Sequence, residues 1–410
     1  MWKAALAIFL LHVVIAEQQE FVVPNIVHQI YDYQYPSFFL FLSLQCVQHY
    51  IRPEKHILWI NDEGRYRRAH WDTWIGAAKH HQDVDSEKEE SHLQWEIKMA
   101  NMIEKKIIDA RFITFPTHPP GNSSIIVTNK AHRSDFVRLS ALEQEGGIYL
   151  DTDVFPFKSL DDFRVFNFTI GYDNIVNPDR KAPKRLNNGV LLSSPKSDFT
   201  SIWSSTYHNF NPNSWDHHSS IVPFDIATEY PDLVHIEMSR LSPMSYAFQT
   251  SESSLILTCG ILMKKDKAIL HPVWDRLNKK YTYESVHPDT YVYKNLNNKY
   301  LFHLTMSAVR GVSMLRKNLG GVDDLKYMPS LLGSIFRTAF SNGVDTFNYD
   351  NVINMSNDEK LKNWEECRNH FGMVSSPDDL ILFGGQYDGP YATPSHKRQQ
   401  YVHNNNYKDK

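Results

Sequence analysis

The chain has 410 residues, 42% of them hydrophobic and 13% aromatic, enough to bury a sizeable core in one large domain with an extension, or in two domains. Its formal net charge is −4, acidic and basic residues are mixed along its length, and the strongest basic cluster, Arg65, Arg67 and Arg68, is short. That balance argues against a nucleic-acid partner and reads the three arginines as a solvated loop face.

At the N-terminus Lys3 precedes an uncharged run, Ala4 to Ala16, that ends in the small-residue spacing of Val14-Ile15-Ala16. The run is short for a bilayer and His12 interrupts it, so residues 1–16 read as a cleaved signal peptide, with a short signal-anchor as the alternative. No later segment is long and apolar enough to span a membrane, and Lys408-Asp409-Lys410 is not a retention signal. The expected location is the secretory pathway, as a Golgi-lumen or secreted glycoprotein. Cys46, Cys259 and Cys367 allow one internal bridge with one thiol left over, and their spacing fits no zinc site. Sequons beginning at Asn122, Asn167 and Asn354 add weak support for that route.

Asn25 to Tyr31 reads as a strand, Ser37 to Tyr50 as a helix closed before Pro53, and His56 to Asn61 as a second strand, which is how an α/β sheet opens. His80 to Glu96 is dense in charge and histidine and reads as an exposed insertion; Met99 to Ala110 looks helical and Arg111 to Phe115 extended. Thr128 or Asn129 caps a helix to Glu145, Gly146-Gly147 stops it, and Gly147 to Asp151 is a strand. Strands are expected at Phe168–Tyr172, Gly189–Ser193, Leu255–Met263 and Lys299–Leu304, and helices at Lys196–His208 and Phe224–Tyr230.

Beyond Arg310 the alternation stops, so a domain over residues 17–310 is expected to carry a mostly helical extension over 311–390. Pro329 opens an amphipathic helix with Leu332, Ile335, Phe336, Ala339 and Phe340 on its apolar side, closed by Asn342-Gly343. That face is expected to pack on the preceding domain in preference to a membrane. The polar tail, residues 391–410, reads as disordered.

The chemistry concentrates in residues 129–155, NKAHRSDFVRLSALEQEGGIYLDTDVF. Asp135 and Arg138 lie three residues apart and so share one helix face; as an isolated pair they would be an ordinary surface ion pair. Beside an acidic strand end they can hydrogen-bond several sugar hydroxyls. Asp151 and Asp153 alternate with Thr152, which on a strand points both acids one way, toward a divalent cation and a diphosphate. A lone D-x-D is nearly worthless as a signal, but the end of a strand in an open α/β sheet is where ligands bind. Oxygen donors favour Mg²⁺ or Mn²⁺ over zinc. An EF-type calcium loop is excluded by Phe155 and Pro156, whereas an aspartyl phosphatase using Asp151 as nucleophile stays open as a minor alternative.

Ser134-Asp135, Arg138, Gly146-Gly147, Tyr149-Leu150 and Asp151-Thr152-Asp153 together resemble the signature of the DXD-containing sugar transferases of glycosyltransferase family 32. Asn25–Tyr31 resembles the family's opening strand and Asn187-Asn188-Gly189-Val190 its later Asn-Gly strand; Trp215–Pro223 and His303-Leu304 resemble weaker downstream blocks. The resemblance spans roughly Pro24 to Arg310. It implies a GT-A, Rossmann-like nucleotide-sugar-binding fold, and transfer, with retention of configuration, from a UDP- or GDP-linked sugar to a glycan, glycolipid or glycoprotein.

By the same resemblance Asp153 would ligate the metal, and Asp151 would contact the metal shell and the donor. Asp135, Arg138, Tyr149 and either Asn187 or Asn188 would line the donor site. Tyr31 stands where relatives often place a base-stacking Trp. His303 is a candidate for the metal or diphosphate, with an ordinary strand histidine as the equal alternative; His217-His218 reads as loop lining. The rival from another class is a protein that binds a carbohydrate or nucleotide sugar on this fold without turnover.

Overall fold

The computed structural model describes residues 20–63, 67–83, 91–173, 185–241, 259, 261–263, 268–275, 280–286, 299–304, 315, 318–346, 348, 351 and 354–371. The expected signal segment and polar tail lie outside them.

A seven-stranded mixed sheet forms the centre, in the order β3-β2-β1-β4-β7-β6-β8. β1 (Ile26–Tyr31), β2 (Lys55–Asn61), β3 (Asp109–Ile113) and β4 (Gly147–Leu150) run parallel. β7 (Leu186–Ser193) lies antiparallel to both β4 and β6 (Phe168–Tyr172), and the short β8 (His235–Glu237) is parallel to β6. Parallel strands need helices on both faces, which is why β1 and β4 are buried nearly end to end. The α/β class expected from the sequence is present in this sheet, whose parallel half, β3-β2-β1-β4, has a Rossmann-like arrangement.

Ser37 caps α1 (Phe38–Cys46, FFLFLSLQC) by accepting the Leu40 N–H, and every residue of that helix is buried. A helix apolar all round belongs inside a protein, and a fully buried Phe such as Phe41 contributes about 1.5–3 kcal/mol. A single π-helical turn, Val47–Ile51, then ends at Arg52 with φ 53°.

The region from Arg67 to Glu104 corrects the sequence reading. It forms α2 (Arg67–Asp83) and α3 (Ser91–Glu104), with Trp71, Trp95 and Met99 buried, where an exposed insertion over His80–Glu96 was expected. Arg67 is tied to Asp32 and Arg68 lies over the Phe112 ring at 5.3 Å, so neither is a free arginine of a solvated loop; Arg65 lies outside the described residues.

Asn129 accepts the Ala131 N–H and starts α4 (Lys130–Glu145) as expected. Gly146 and Gly147 stop it with φ of 65° and 106°, and a Cβ on Gly147 would sit 2.4 Å from the Ile26 carbonyl oxygen. The two glycines thus turn the chain and let β4 enter the sheet against β1. α5 (Asp198–Thr206) falls within its expected segment, and α6 (Val222–Glu229) overlaps its own but starts two residues earlier.

Two small sheets complete the fold. β5 (Val154–Pro156) pairs antiparallel with β12 (Leu301–His303), placing His303 opposite Val154. β9 (Ile261–Met263), β10 (Ala268–Asp275) and β11 (Lys280–Val286) form an antiparallel trio, of which only the first strand was expected. Pro272 breaks the sequence pattern of β10 and lies past the three residues that pair with β9.

In the C-terminal part, Ser330 caps α7 (Leu331–Phe340), and its expected apolar face packs on β5 and α1: Phe336 meets Phe155 of β5 at 4.8 Å and Phe340 meets Phe41 of α1 at 6.0 Å. Arg337 donates to the carbonyls of Leu325 and Met328 at 2.7 Å each. α8 (Asn357–Phe371) carries Cys367, which is disulfide-bonded to Cys259, leaving Cys46 free and buried. One hydrophobic cluster runs from Tyr31 to Phe371, so α7 and α8 share their core with the first half of the sheet. Among the described residues no helix is long and apolar enough to cross a membrane.

Candidate metal and donor site

The site is assembled where β4 leaves the sheet. β4 ends at Leu150, and Asp151-Thr152-Asp153 is a turn closed by the Val154 N–H donating to the Asp151 carbonyl at 3.0 Å. The alternation argument for the two acids therefore fails: a reverse turn, not the two-residue repeat of a strand, gathers them. The Asp151 N–H donates to the Gly189 carbonyl of β7 at 2.9 Å and the Leu304 N–H to the Asp153 carbonyl at 3.0 Å, so the turn is held from two neighbouring strands.

His303, brought in by β12 against β5, completes the group. Its Nε2 lies 3.5 Å from Asp153 Oδ1 and 3.9 Å from Asp151 Oδ2, and one ligand atom from each of the three residues lies within 4.8 Å of the others. The set could hold a metal ion. Two carboxylate oxygens and one imidazole nitrogen suit a six-coordinate divalent cation that keeps positions open for phosphate oxygens, and the nitrogen favours Mn²⁺ over Mg²⁺. Gly189 forms the floor of this cradle: a Cβ there would stand 2.4 Å from His303 Cε1 and 2.8 Å from Asp151 Oδ2.

α4 supplies the second half. Asp135 and Arg138 are both buried and 3.1 Å apart, so the surface ion pair is excluded. Arg138 Nη1 donates to the Asn188 carbonyl at 2.7 Å and lies 3.5 Å from Asp151 Oδ1, while Nη2 donates to Ser134 Oγ at 3.0 Å. Asn188 Nδ2 donates to Asp135 Oδ1 at 2.9 Å; Asn187 instead accepts the Gly189 N–H at 3.0 Å. Of the two asparagines, Asn188 is the one joined to the acid–base pair.

Burial pushes the Asp135 carboxyl up to about 7, with Asp151 adding to the rise and Arg138 and Asn188 opposing it. Tyr149 donates its hydroxyl to Asp151 Oδ1 at 2.5 Å, and the Arg138 guanidinium lies 4.4 Å over its ring.

Tyr31 is placed differently from its expected role. Its ring is 3% exposed, packed on Trp71 at 6.0 Å and Tyr33 at 5.2 Å, and its hydroxyl donates to the Tyr35 carbonyl, so it presents no open face to a base. His217 and His218 sit on a helical turn, His217–Ile221, instead of the expected loop, with His218 buried against Tyr207 and Phe210.

Gly189, which the sequence offers only as part of the Asn-Asn-Gly block, gains its role as the floor of the cradle from the structure. Asp173, just after β6, was not singled out from the sequence; burial raises its carboxyl while His303 and Arg185 pull it down.

Residues 54–171 match the family described as "Glycosyltransferase sugar-binding region containing DXD motif". That span holds Asp135, Arg138, Tyr149, Asp151 and Asp153. "Glucan organizing enzyme 1" of Cryptococcus neoformans var. grubii is 35% identical over 112 residues, covering 27% of this chain and 31% of the relative. The chain thus matches about a third of that relative's length. Among solved structures, the PaToxG glycosyltransferase is similar with a TM-score of 0.32 at 16% identity, over 51% of this chain and 70% of the other. The glycosyltransferase GlyE of Streptococcus pneumoniae TIGR4 has a TM-score of 0.30 at 13% identity, over 52% and 44%.

Proposed function

We propose that this chain, whose residues 54–171 are a glycosyltransferase sugar-binding region of the DXD type, is a metal-dependent retaining transferase. It would move a sugar from a UDP- or GDP-linked donor to a glycan, glycolipid or glycoprotein. The observation that carries the reading is the convergence of Asp151, Asp153 and His303 beside the buried Asp135–Arg138–Asn188 group.

Asp151, Asp153 and His303 would hold Mn²⁺ or Mg²⁺. When bound, that cation stabilises the charge that develops on a departing diphosphate. Asp135, raised to about 7, can both donate to and accept from a sugar hydroxyl near neutral pH. Arg138 fixes the carboxylate and the Asn188 carbonyl in place, and its charge is kept from water, where fixed charges act most strongly. Retention needs no strong protein base, and Asp151 and Asp153 stand with His303 in the metal group. The departing phosphate oxygen is then left to accept the acceptor hydroxyl's proton on the same face of the sugar.

A lumenal, oxidising location, in the Golgi or after secretion, is supported by the Cys259–Cys367 bridge and by the apolar run at residues 4–16. The test is a panel of UDP- and GDP-sugars incubated with the purified chain and Mn²⁺, with and without EDTA. Release of free nucleoside diphosphate from one donor, abolished by EDTA, is expected. Donor binding without consumption would favour a binding protein, and hydroxylamine-labile phosphate on Asp151 would favour a phosphatase.

A further inference from the structure

Among the described helices α1 is the most apolar, yet it carries Ser43 and Gln45 at buried positions. Burying a hydroxyl or an amide costs free energy unless it is hydrogen-bonded, and a Leu or Ala at Ser43 would suit the surrounding core at least as well. Ser43 belongs to a directed chain of bonds that crosses the interior. The half-buried Gln48 donates Nε2–H to His56 Nδ1 at 2.9 Å. His56, kept neutral by burial, donates Nε2–H to Gln29 Oε1 at 3.0 Å. Gln29 donates Nε2–H to Ser43 Oγ at 2.9 Å, and the same nitrogen lies 3.5 Å from the Asp151 carbonyl oxygen. Ser43 finally donates its hydroxyl proton to the Val154 carbonyl at 3.0 Å.

The chain thus ends on two backbone carbonyls that bracket the Asp151–Asp153 turn. The same turn is held from β7 through Gly189 and from β12 through Leu304, but by backbone groups alone. α1 and β1 supply a third hold, through side chains that a substitution can remove. We propose that Gln29 and Ser43 are positioning residues for the metal site: they fix the turn so that the carboxylates of Asp151 and Asp153 converge on His303, and they thereby set the affinity for the cation. The proposal rests on the metal-site reading above and extends it to residues that touch neither cation nor sugar. Groups that orient metal ligands from behind typically change affinity by about ten- to a hundredfold when removed.

The full chain, freed of metal by chelation and dialysis, is titrated with Mn²⁺ alone while the electron paramagnetic resonance signal of free Mn²⁺ is followed. Thermal melting in EDTA is recorded in parallel. Gln29→Leu and Ser43→Ala are expected to weaken Mn²⁺ binding about ten- to a hundredfold. Ser43→Thr, which keeps the hydroxyl, stays close to the unaltered chain. A purely structural role would lower the melting temperature of Ser43→Ala and leave its Mn²⁺ affinity unchanged, and that result overturns the proposal. Should Gln29→Leu fail to fold, the single-oxygen deletion in Ser43→Ala decides alone. Absence of Mn²⁺ binding in the unaltered chain would remove the metal site and this proposal together, whereas equal binding by all the variants removes only the proposal.

Discussion

Tyr149 gives its hydroxyl proton to Asp151 across a 2.5 Å bond, from a ring buried beneath the Arg138 guanidinium. Burial above all, reinforced by the charge of Asp151 and the bond to it, holds the phenol well above its ordinary range, so it stays a donor at any physiological pH. One carboxylate oxygen of Asp151 is therefore fixed by the tyrosine, while the other faces His303. A residue that carries the family signature as an apolar strand position acts through its polar tip.

Tyr149→Phe removes that tip and keeps the ring under Arg138. A hydrogen bond to a charged group is worth about 1.5–3 kcal/mol, so metal-dependent turnover should fall by about ten- to a hundredfold. The melting temperature should change little in comparison. Steady-state rates at saturating and at limiting Mn²⁺ check this; an unchanged Mn²⁺ requirement would take Tyr149 out of the site.

Gly189→Ala places a methyl group between His303 and Asp151, at 2.4 Å and 2.8 Å from their nearest atoms. Gly189 has no positive φ, so the backbone tolerates alanine and the damage should be confined to the metal site. Mn²⁺ affinity is expected to drop by at least about tenfold, as for other disturbances of a ligand shell. Calorimetric titration of Mn²⁺ into the folded variant reads the effect, and wild-type affinity would show that the cradle lies elsewhere.

Arg138→Lys keeps the charge and loses the fork. A single ammonium cannot reach Asp135, Ser134 and the Asn188 carbonyl together, and lysine does not stack on Tyr149 as the guanidinium does. Losing one or two charge-assisted bonds predicts a stability decrease of about 2–5 kcal/mol in urea unfolding. Turnover should fall at the same time, and a variant as active and as stable as the parent would refute the buried-pair reading.

His28 sets a pH dependence of stability. Its Nε2–H donates to the Gly146 carbonyl at 2.9 Å, and burial lowers its pKa to about 4 from an ordinary 6.5. The unfolded chain takes up this proton below 6.5 and the folded one only near 4. The stabilisation is therefore complete above 6.5 and is lost as pH falls toward 4. One proton corresponds to about 1.4 kcal/mol per pH unit. His28→Gln, which cannot titrate, should flatten the stability profile between pH 4 and 6.5 by about that slope; an unchanged slope in urea melts would mean that His28 is already protonated in the folded state.

Legibility in the sequence followed how local the signals were. The helix from Lys130 to Glu145 could be bounded to within one residue at its start, where Thr128 and Asn129 both offer a cap, and to the residue at its Gly146-Gly147 stop, because these signals act on adjacent backbone. The two acids of the metal group were visible for the same reason, although the strand geometry invoked for them was wrong: β4 ends one residue too early and a turn takes over. His303 lies far along the chain, where the sequence leaves a metal ligand and an ordinary strand histidine equally open; the pairing of β12 with β5 brings it to the two acids. His80 to Glu96 was read as an insertion because its charge density hides the ends of two helices, Arg67–Asp83 and Ser91–Glu104, the second anchored there by Trp95. Tyr31 stands where the sequence resemblance expects a base-stacking ring, but Trp71 and Tyr33 close over it. Gly189 is defined by the space it leaves, which no single-residue pattern records.

The central claim is that Asp151, Asp153 and His303 bind one divalent cation. The most direct measurement is anomalous diffraction at the manganese edge from crystals of the full chain soaked in Mn²⁺. One strong peak within about 2.0–2.6 Å of a carboxylate oxygen of each aspartate and of His303 Nε2 is the predicted result. A peak coordinated by other residues, or none while Mn²⁺ supports turnover in solution, would contradict it.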